Sequence, residues 1–177
     1  MGRAMSGIAP RDASWAARAW PRCCEGLDPV ATYGPEVLET QTHPGDSYWA
    51  IVGNAGLELG MAWANRYENR HMWTYGLAYF PEHRGQAKGL GYEVSSAIME
   101  ALFALPETSA LVTLVYSSNP AAMRYNGLAR EGPDWIWNGR PHRRVVGHIV
   151  DAAGPGIDLW IFQTTRGAWS AHCAPNQ

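Results

Sequence analysis

The loop Gln86-Ala87-Lys88-Gly89-Leu90-Gly91 reads Q-x-x-G-x-G. It sits between a strand-like run ending at Phe80-Pro81 and an amphipathic helix that starts at about Gly91. The first N–H groups of a helix have no partner within it, so a helix start at the end of a short loop is a natural anion site. A pyrophosphate needs several such donors converging on it with no side chain in the way. Glycines at 89 and 91 allow that approach. Lys88 adds a point charge, and Arg84 a planar fork. Other phosphate loops fit worse. The chain has no G-x-x-x-x-G-K-[ST], and Gly89-Leu90-Gly91 is followed by Val94 where a dinucleotide fingerprint needs glycine.

Other reactive residue types are arranged less tellingly. His71, His83, His142, His148 and His172 have no metal-ligand spacing with Cys23, Cys24 or Cys173. Three cysteines without C-x-x-C predict neither a structural disulfide nor a metal, and point to a reducing, cytoplasmic setting. No signal peptide or membrane span is evident. The cluster Arg140-Pro141-His142-Arg143-Arg144 reads either as a solvated hairpin tip or as a clamp for an acidic substrate or partner. The formal net charge of −2 gives no overall field for nucleic acid, so a nucleic-acid partner is not expected. Nine tryptophans read as packing, or as the lining of an acceptor pocket.

The elements that must position the loop are legible from periodicity. With 177 residues, 46% hydrophobic and 17% charged, the chain suits one globular domain, 1–177, with a hairpin insertion at 132–156 and a frayed tail at 170–177. A first strand over 4–9 leads to a helix capped by Asp12 or Ser14 and stopped by Pro21. Glu36–Gln41 is read as one or two helical turns. Ser47–Val52, Leu57–Ala64 and Met72–Phe80 form an antiparallel meander. After the loop, Val94, Ile98, Ala101, Leu102 and Leu105 share one helix face, and Pro106 ends it. Ala110–Tyr116 is a buried strand, parallel to the one before the helix because a crossover joins them. Asn119 caps a helix with Pro120 at its first position, and Gly127 breaks it. Asn138-Gly139 predicts a hairpin turn, and Ile157–Thr165 a last strand. The whole is α/β with a mixed, mainly antiparallel sheet flanked by helices.

The loop resembles the acyl-coenzyme A pyrophosphate loop of the GCN5-related N-acetyltransferase (GNAT) superfamily, and the resemblance spans roughly residues 7–169. Ile8-Ala9-Pro10-Arg11-Asp12-Ala13 is similar to the family's first strand and helix start. Phe80-Pro81-Glu82-His83-Arg84-Gly85 resembles its strand exit, and Glu93 matches a glutamate just after the loop. Ser118-Asn119-Pro120-Ala121-Ala122 matches S-N-x-x-[AS], and Gly127-Leu128-Ala129-Arg130-Glu131-Gly132 is a degraded G-F-x-x-E-G. Asp158, Phe162, Arg166 and Trp169 resemble the D-x-x-x-[YF]-x-x-x-R-x-x-W finish of the ribosomal-protein N-terminal-alanine acetyltransferase branch.

The resemblance implies a GNAT-type fold whose sheet splays between two central strands, with the cofactor arm in the splay. Tyr79 and Phe80 would contact the pantetheine, residues 86–91 with Arg84 the pyrophosphate, and Asn119 the cofactor. The reaction implied is direct transfer of acetyl from acetyl-CoA to a primary amine of a small molecule or protein N-terminus, without a metal and with a homodimer as one possible assembly. The family's tyrosine acid falls at the position of Asn126, with Tyr125 one residue before it, so Tyr125 is the candidate acid. The glutamate base of some members is replaced by Leu114, which leaves Glu82 as a candidate base or a solvated loop charge. These departures keep open an alternative, a catalytically inactive acyl-CoA-binding or interaction module of the same fold.

Overall fold

The computed structural model describes residues 7–28, 32, 45–67, 71–85 and 89–174. The helical turns expected over Glu36–Gln41 and the loop residues Gln86, Ala87 and Lys88 lie outside the described residues. Strand β1 (Gly7–Arg11) leads into helix α1 (Ala13–Cys24). Strands β2 (Ser47–Val52), β3 (Glu58–Arg66) and β4 (Met72–Tyr79) follow. Helix α2 (Leu90–Phe103) crosses to β5 (Ala110–Tyr116), and a short α3 (Pro120–Tyr125) comes next. The chain closes with β6 (Leu128–Glu131), β7 (Asp134–Trp137), β8 (Arg144–Ile149), β9 (Leu159–Thr165) and α4 (Arg166–Cys173).

A seven-stranded sheet runs in the order β1-β2-β3-β4-β5-β9-β8, and β6 and β7 make a separate hairpin. Every neighbouring pair is antiparallel except β4 and β5. That parallel pair is bonded over three residue pairs only, Met72 with Ala110, Trp73 with Leu111 and Thr74 with Val112. Both strands continue beyond this point without pairing to each other, so the sheet opens there. Thr113 and Leu114, the next two residues of a strand otherwise buried at both ends, are partly exposed at the opening.

Helices cover both faces. Ala16, Ala19 and Cys23 of α1 pack on Met61, Ala78 and Phe80. On the other face Val94, Ile98 and Leu102 of α2 form the expected stripe, buried against Trp49, Ile51, Trp73 and Tyr75. Asp12 is the α1 cap, its carboxylate accepting from Trp15 N at 2.7 Å.

Three local expectations are corrected. Pro21 does not stop α1, which continues to Cys24. Tertiary contacts hold that last turn: Cys23 is fully buried, and Arg84 donates to its carbonyl at 2.8 Å. The hairpin turn is not Asn138-Gly139 but Gly132-Pro133, between the closing pair Glu131 and Asp134. Strand β8 pairs with β9 instead of β7, so long-range pairing overrides the local Asn-Gly signal. The tail is not frayed from residue 170, because 166–173 are helical. Trp169 is buried against α2, and Arg166 donates to the carbonyls of Leu105 at 2.6 Å and Thr108 at 2.9 Å. The Arg166–Trp169 motif thus fastens α4 to the end of α2.

Strands β3 and β4 approach closely. A β-carbon on Gly60 would overlap the Ala78 carbonyl oxygen, whereas one on Gly85 meets nothing within 4 Å among the described residues. Overpacking of this kind costs about 1–3 kcal/mol, roughly 2–12 °C in Tm at this size. Gly60→Ala is therefore expected to melt earlier by that margin and Gly85→Ala to melt with the wild type, as read by thermal denaturation.

Candidate active site

At the helix start expected to bind phosphate, the described residues are Gly89, Leu90 and Gly91. Gly89 is the residue before α2, with φ +94° and ψ −17°, in the left-handed region that favours glycine. A β-carbon added at Gly89 or Gly91 would meet no described atom within 4 Å. On the strand side, Phe80 is buried with the Arg22 guanidinium 3.9 Å above its ring. The Tyr79 hydroxyl is buried without a hydrogen-bond partner among the described residues. Burial first, and the Glu93 charge second, push its pKa well above the usual phenol range.

Arg84 is placed differently from the free fork the sequence suggests. It donates to the Cys23 carbonyl at 2.8 Å and to the Tyr79 carbonyl at 3.4 Å, which ties the end of β4 to the end of α1. Glu82 is exposed and ion-paired with Arg22. A hydrogen bond from its own backbone N–H, then Arg22, holds its carboxyl below the usual range. That makes it a poor proton acceptor. Asn119 caps α3, its side-chain oxygen accepting from Ala122 N at 3.1 Å.

Tyr125 is the last residue of α3, and its hydroxyl accepts from Arg143 Nη2 at 2.7 Å. The same nitrogen donates to the Tyr75 hydroxyl at 2.6 Å. Arg143 Nη1 donates to Asn126 Oδ1, and Asn126 in turn donates to the Ala122 carbonyl at 2.8 Å. Tyr75 follows directly on Thr74, the last β4 residue paired to β5, so its backbone stands where the two strands part while its side chain is buried in the core with Ile98 and Met99 of α2. Burial raises the pKa of Tyr125 well above its ordinary value, Tyr75 adds to that, and Arg143 opposes it.

Within the cluster 140–144, Arg140, Pro141 and Arg144 are exposed as a hairpin tip would be, but His142 and Arg143 are buried. His142 is 3% exposed and Arg143 6%. His142 packs on His172 at 4.2 Å and edge-on to Trp169 at 5.5 Å between ring centroids. Its pKa is lowered to about 4, first by burial and then by Arg143, His172 and Arg140, so the ring is neutral and accepts from Arg143 Nε at 3.4 Å. A cavity of about 230 Å³ beside it, lined by His142, Arg143, Arg144 and Gln163, is small for a nucleotide-sized ligand. Sequence reading missed Tyr75 and Arg143 as site residues. The alternation of Trp73, Tyr75, Leu77 and Tyr79 along β4 signals a shared face, but nothing near Arg143 marks it as buried.

Among the described residues no group of three or more His, Cys, Asp or Glu is placed to hold a metal ion, and no helix is long and apolar enough to cross a membrane.

The chain matches the acetyltransferase (GNAT) domain family over residues 12–125, from the α1 cap to Tyr125. No curated protein is significantly similar to it. Among solved structures it is similar to a spermidine N-acetyltransferase of Vibrio cholerae in complex with CoA and spermine, at 12% identity and TM-score 0.64, covering 94% of this chain and 98% of that one. A chimera of that enzyme gives 13% identity and TM-score 0.65 over the same shares. A probable acetyltransferase of Chromobacterium violaceum, of the GNAT family, gives 18% identity and TM-score 0.62, covering 96% of this chain and 87% of that one. At such identities these likenesses are of fold.

The glycine at the helix start, the sheet that parts between β4 and β5 and the family match agree: this chain belongs to the GNAT acetyltransferase family. It is an acyl-CoA-dependent N-acetyltransferase, with acetyl-CoA as its cosubstrate and a primary amine as its acceptor.

Proposed function

We propose that the whole chain serves as one acetyltransferase domain in which acetyl-CoA lies across the β4–β5 opening and a small-molecule amine attacks its thioester. In this reading residues 86–91 hold the pyrophosphate through backbone N–H groups, and Tyr79 and Phe80 flank the pantetheine arm. Asn119 reaches the cofactor from the α3 cap, and Arg84 braces the end of β4. Tyr125 protonates the departing thiolate. Glu82, ion-paired and exposed, is a surface charge and not the base. The amine loses its proton through water.

The single observation that carries the reading is the meeting of Tyr125 and Tyr75 hydroxyls at the point where β4 and β5 part. Orientation of the thioester and amine in such a cleft supplies roughly 7–11 kcal/mol without a dedicated base. A small-molecule acceptor is favoured over a protein N-terminus. Arg166 and Trp169, the residues that resemble the N-terminal-alanine branch, are engaged in packing α4 and say nothing about an acceptor. The similar Vibrio cholerae enzyme is a spermidine N-acetyltransferase crystallised with spermine, which makes polyamines the first acceptors to try. The test is thiol release from acetyl-CoA against a panel of polyamines, amino acids, aminoglycosides and short peptides. Turnover with a small amine and little with peptides is the expected result. Turnover with peptides alone would restore the N-terminal branch, and none with any of the small amines would overturn the small-molecule reading.

A further inference from the structure

Arg143 is a buried cation, and no carboxylate among the described residues pairs with it. Burying a guanidinium without a counter-charge is costly, and proteins usually pair such a group. Here neutral groups solvate it. Nε faces His142 Nε2, Nη1 faces Asn126 Oδ1, and both hydrogens of Nη2 go to Tyr75 and Tyr125, with Met99 Sδ a further 3.9 Å contact. Four of its five N–H groups are thus engaged. It has no free fork for the carboxylate of a ligand. No described carboxylate compensates its positive charge, which lies beside the hydroxyl proposed to give up a proton.

Because Tyr125 accepts from Arg143, its own O–H proton points away from the guanidinium, with the Tyr75 and Ser95 hydroxyls as its neighbours. We infer that Arg143 is the positioning residue for the acid: it fixes the Tyr125 hydroxyl at the opening and stabilises the phenolate formed when the proton leaves. The inference rests on Tyr125 being the acid. The step balances as follows. The amine lone pair forms the N–C bond, the C–S bond breaks with its electrons going to sulfur, and the Tyr125 proton passes to that sulfur to give CoA thiol. The phenolate stays beside Arg143 until it takes, through water, the proton the new amide nitrogen sheds. The direction of the electrostatic effect agrees, since Arg143 opposes the upward push that burial gives the Tyr125 pKa. His142, kept neutral and packed on Trp169 and His172, holds the guanidinium from behind.

The experiment is steady-state thiol release from acetyl-CoA, with spermidine or the best amine of the panel, for Arg143→Met, Arg143→Lys, Tyr125→Phe and the Arg143→Met/Tyr125→Phe pair. Loss of a charge-assisted hydrogen bond predicts that Arg143→Met lowers kcat about 10- to 100-fold, with the KM for acetyl-CoA unchanged. Arg143→Lys, which keeps the charge and reaches one phenol, recovers most of that loss. In the Tyr125→Phe background Arg143→Met costs almost nothing more. Losses that multiply, or a raised KM at unchanged kcat, would overturn the inference while leaving Tyr125 as the acid. Full kcat in Tyr125→Phe would remove the acid reading and the inference with it. If Arg143→Met does not fold, Arg143→Lys carries the same comparison: several-fold slower with Tyr125 present, and neutral in the Tyr125→Phe background.

Discussion

Tyr125→Phe lowers kcat at least about tenfold, and by up to about 10²–10⁴-fold, the range for loss of one general acid, while the KM for acetyl-CoA stays within a small factor. The phenyl ring keeps its edge-on contact with Tyr92, 6.2 Å between centroids, so the variant loses only the hydroxyl. Removing it spares packing and removes the proton source for the thiolate. Glu82→Gln changes kcat little, because that carboxylate is exposed and engaged with Arg22. The pH dependence has a definite sign. A phenol whose pKa is raised in the fold stays protonated through the ordinary assay range, so kcat shows no descending limb from this group between about pH 7 and 9. Steady-state kinetics of both variants checks this. A phenylalanine variant at full kcat beside a slow Glu82→Gln would reverse the two assignments.

The second large effect is on cosubstrate binding. Gly89→Val forces a β-branched residue into the left-handed region at the start of α2, a strain of about 1–3 kcal/mol, and places a side chain where phosphate oxygens would approach. The Kd for CoA is expected to rise at least about tenfold, since each 1.4 kcal/mol is a factor of ten. Gly91→Val separates the two causes. Its position carries no left-handed φ and has open space around it, so a loss there reports obstruction alone. Lys88→Ala removes one point charge and weakens binding modestly. Calorimetry with CoA reads all three. Unchanged affinity in both glycine variants would sink the pyrophosphate assignment.

The parts of this molecule legible in the sequence are those whose physics is local. Val94, Ile98 and Leu102 recur at helical spacing because they face one core, and that face is buried as expected. The meander β2-β3-β4 and the parallel β4–β5 crossover follow from strand runs, short turns and one intervening helix. The glycine loop stands out in the sequence because the anion binding proposed for it would belong to the backbone, which only the absence of side chains exposes. Arg143 was illegible for the opposite reason. Within the window R-P-H-R-R it reads as surface, and what buries it arrives from Tyr125, Met99 and Tyr75, 18, 44 and 68 residues away. The Asn138-Gly139 turn failed likewise, a local preference outweighed by the pairing of β8 along β9.

The three-pair joint between β4 and β5 makes the sheet mechanically two plates, β1 to β4 and β5 with β9 and β8, meeting along a short seam. Past Thr74 and Val112 the backbone groups along that gap have no facing strand. A pantetheine arm, a chain of amides on a flexible stem, would enter the gap as an eighth strand and carry the seam across to the far edge. With the arm in place, the two plates would be bridged along their length by the cofactor as well as by the three-pair seam. Acetyl-CoA would then be a structural member as well as a reactant. At a hundredfold excess over its Kd it would add about 2.7 kcal/mol to the folded state. Release of the product thiol would then mean giving up those bridging contacts along the seam.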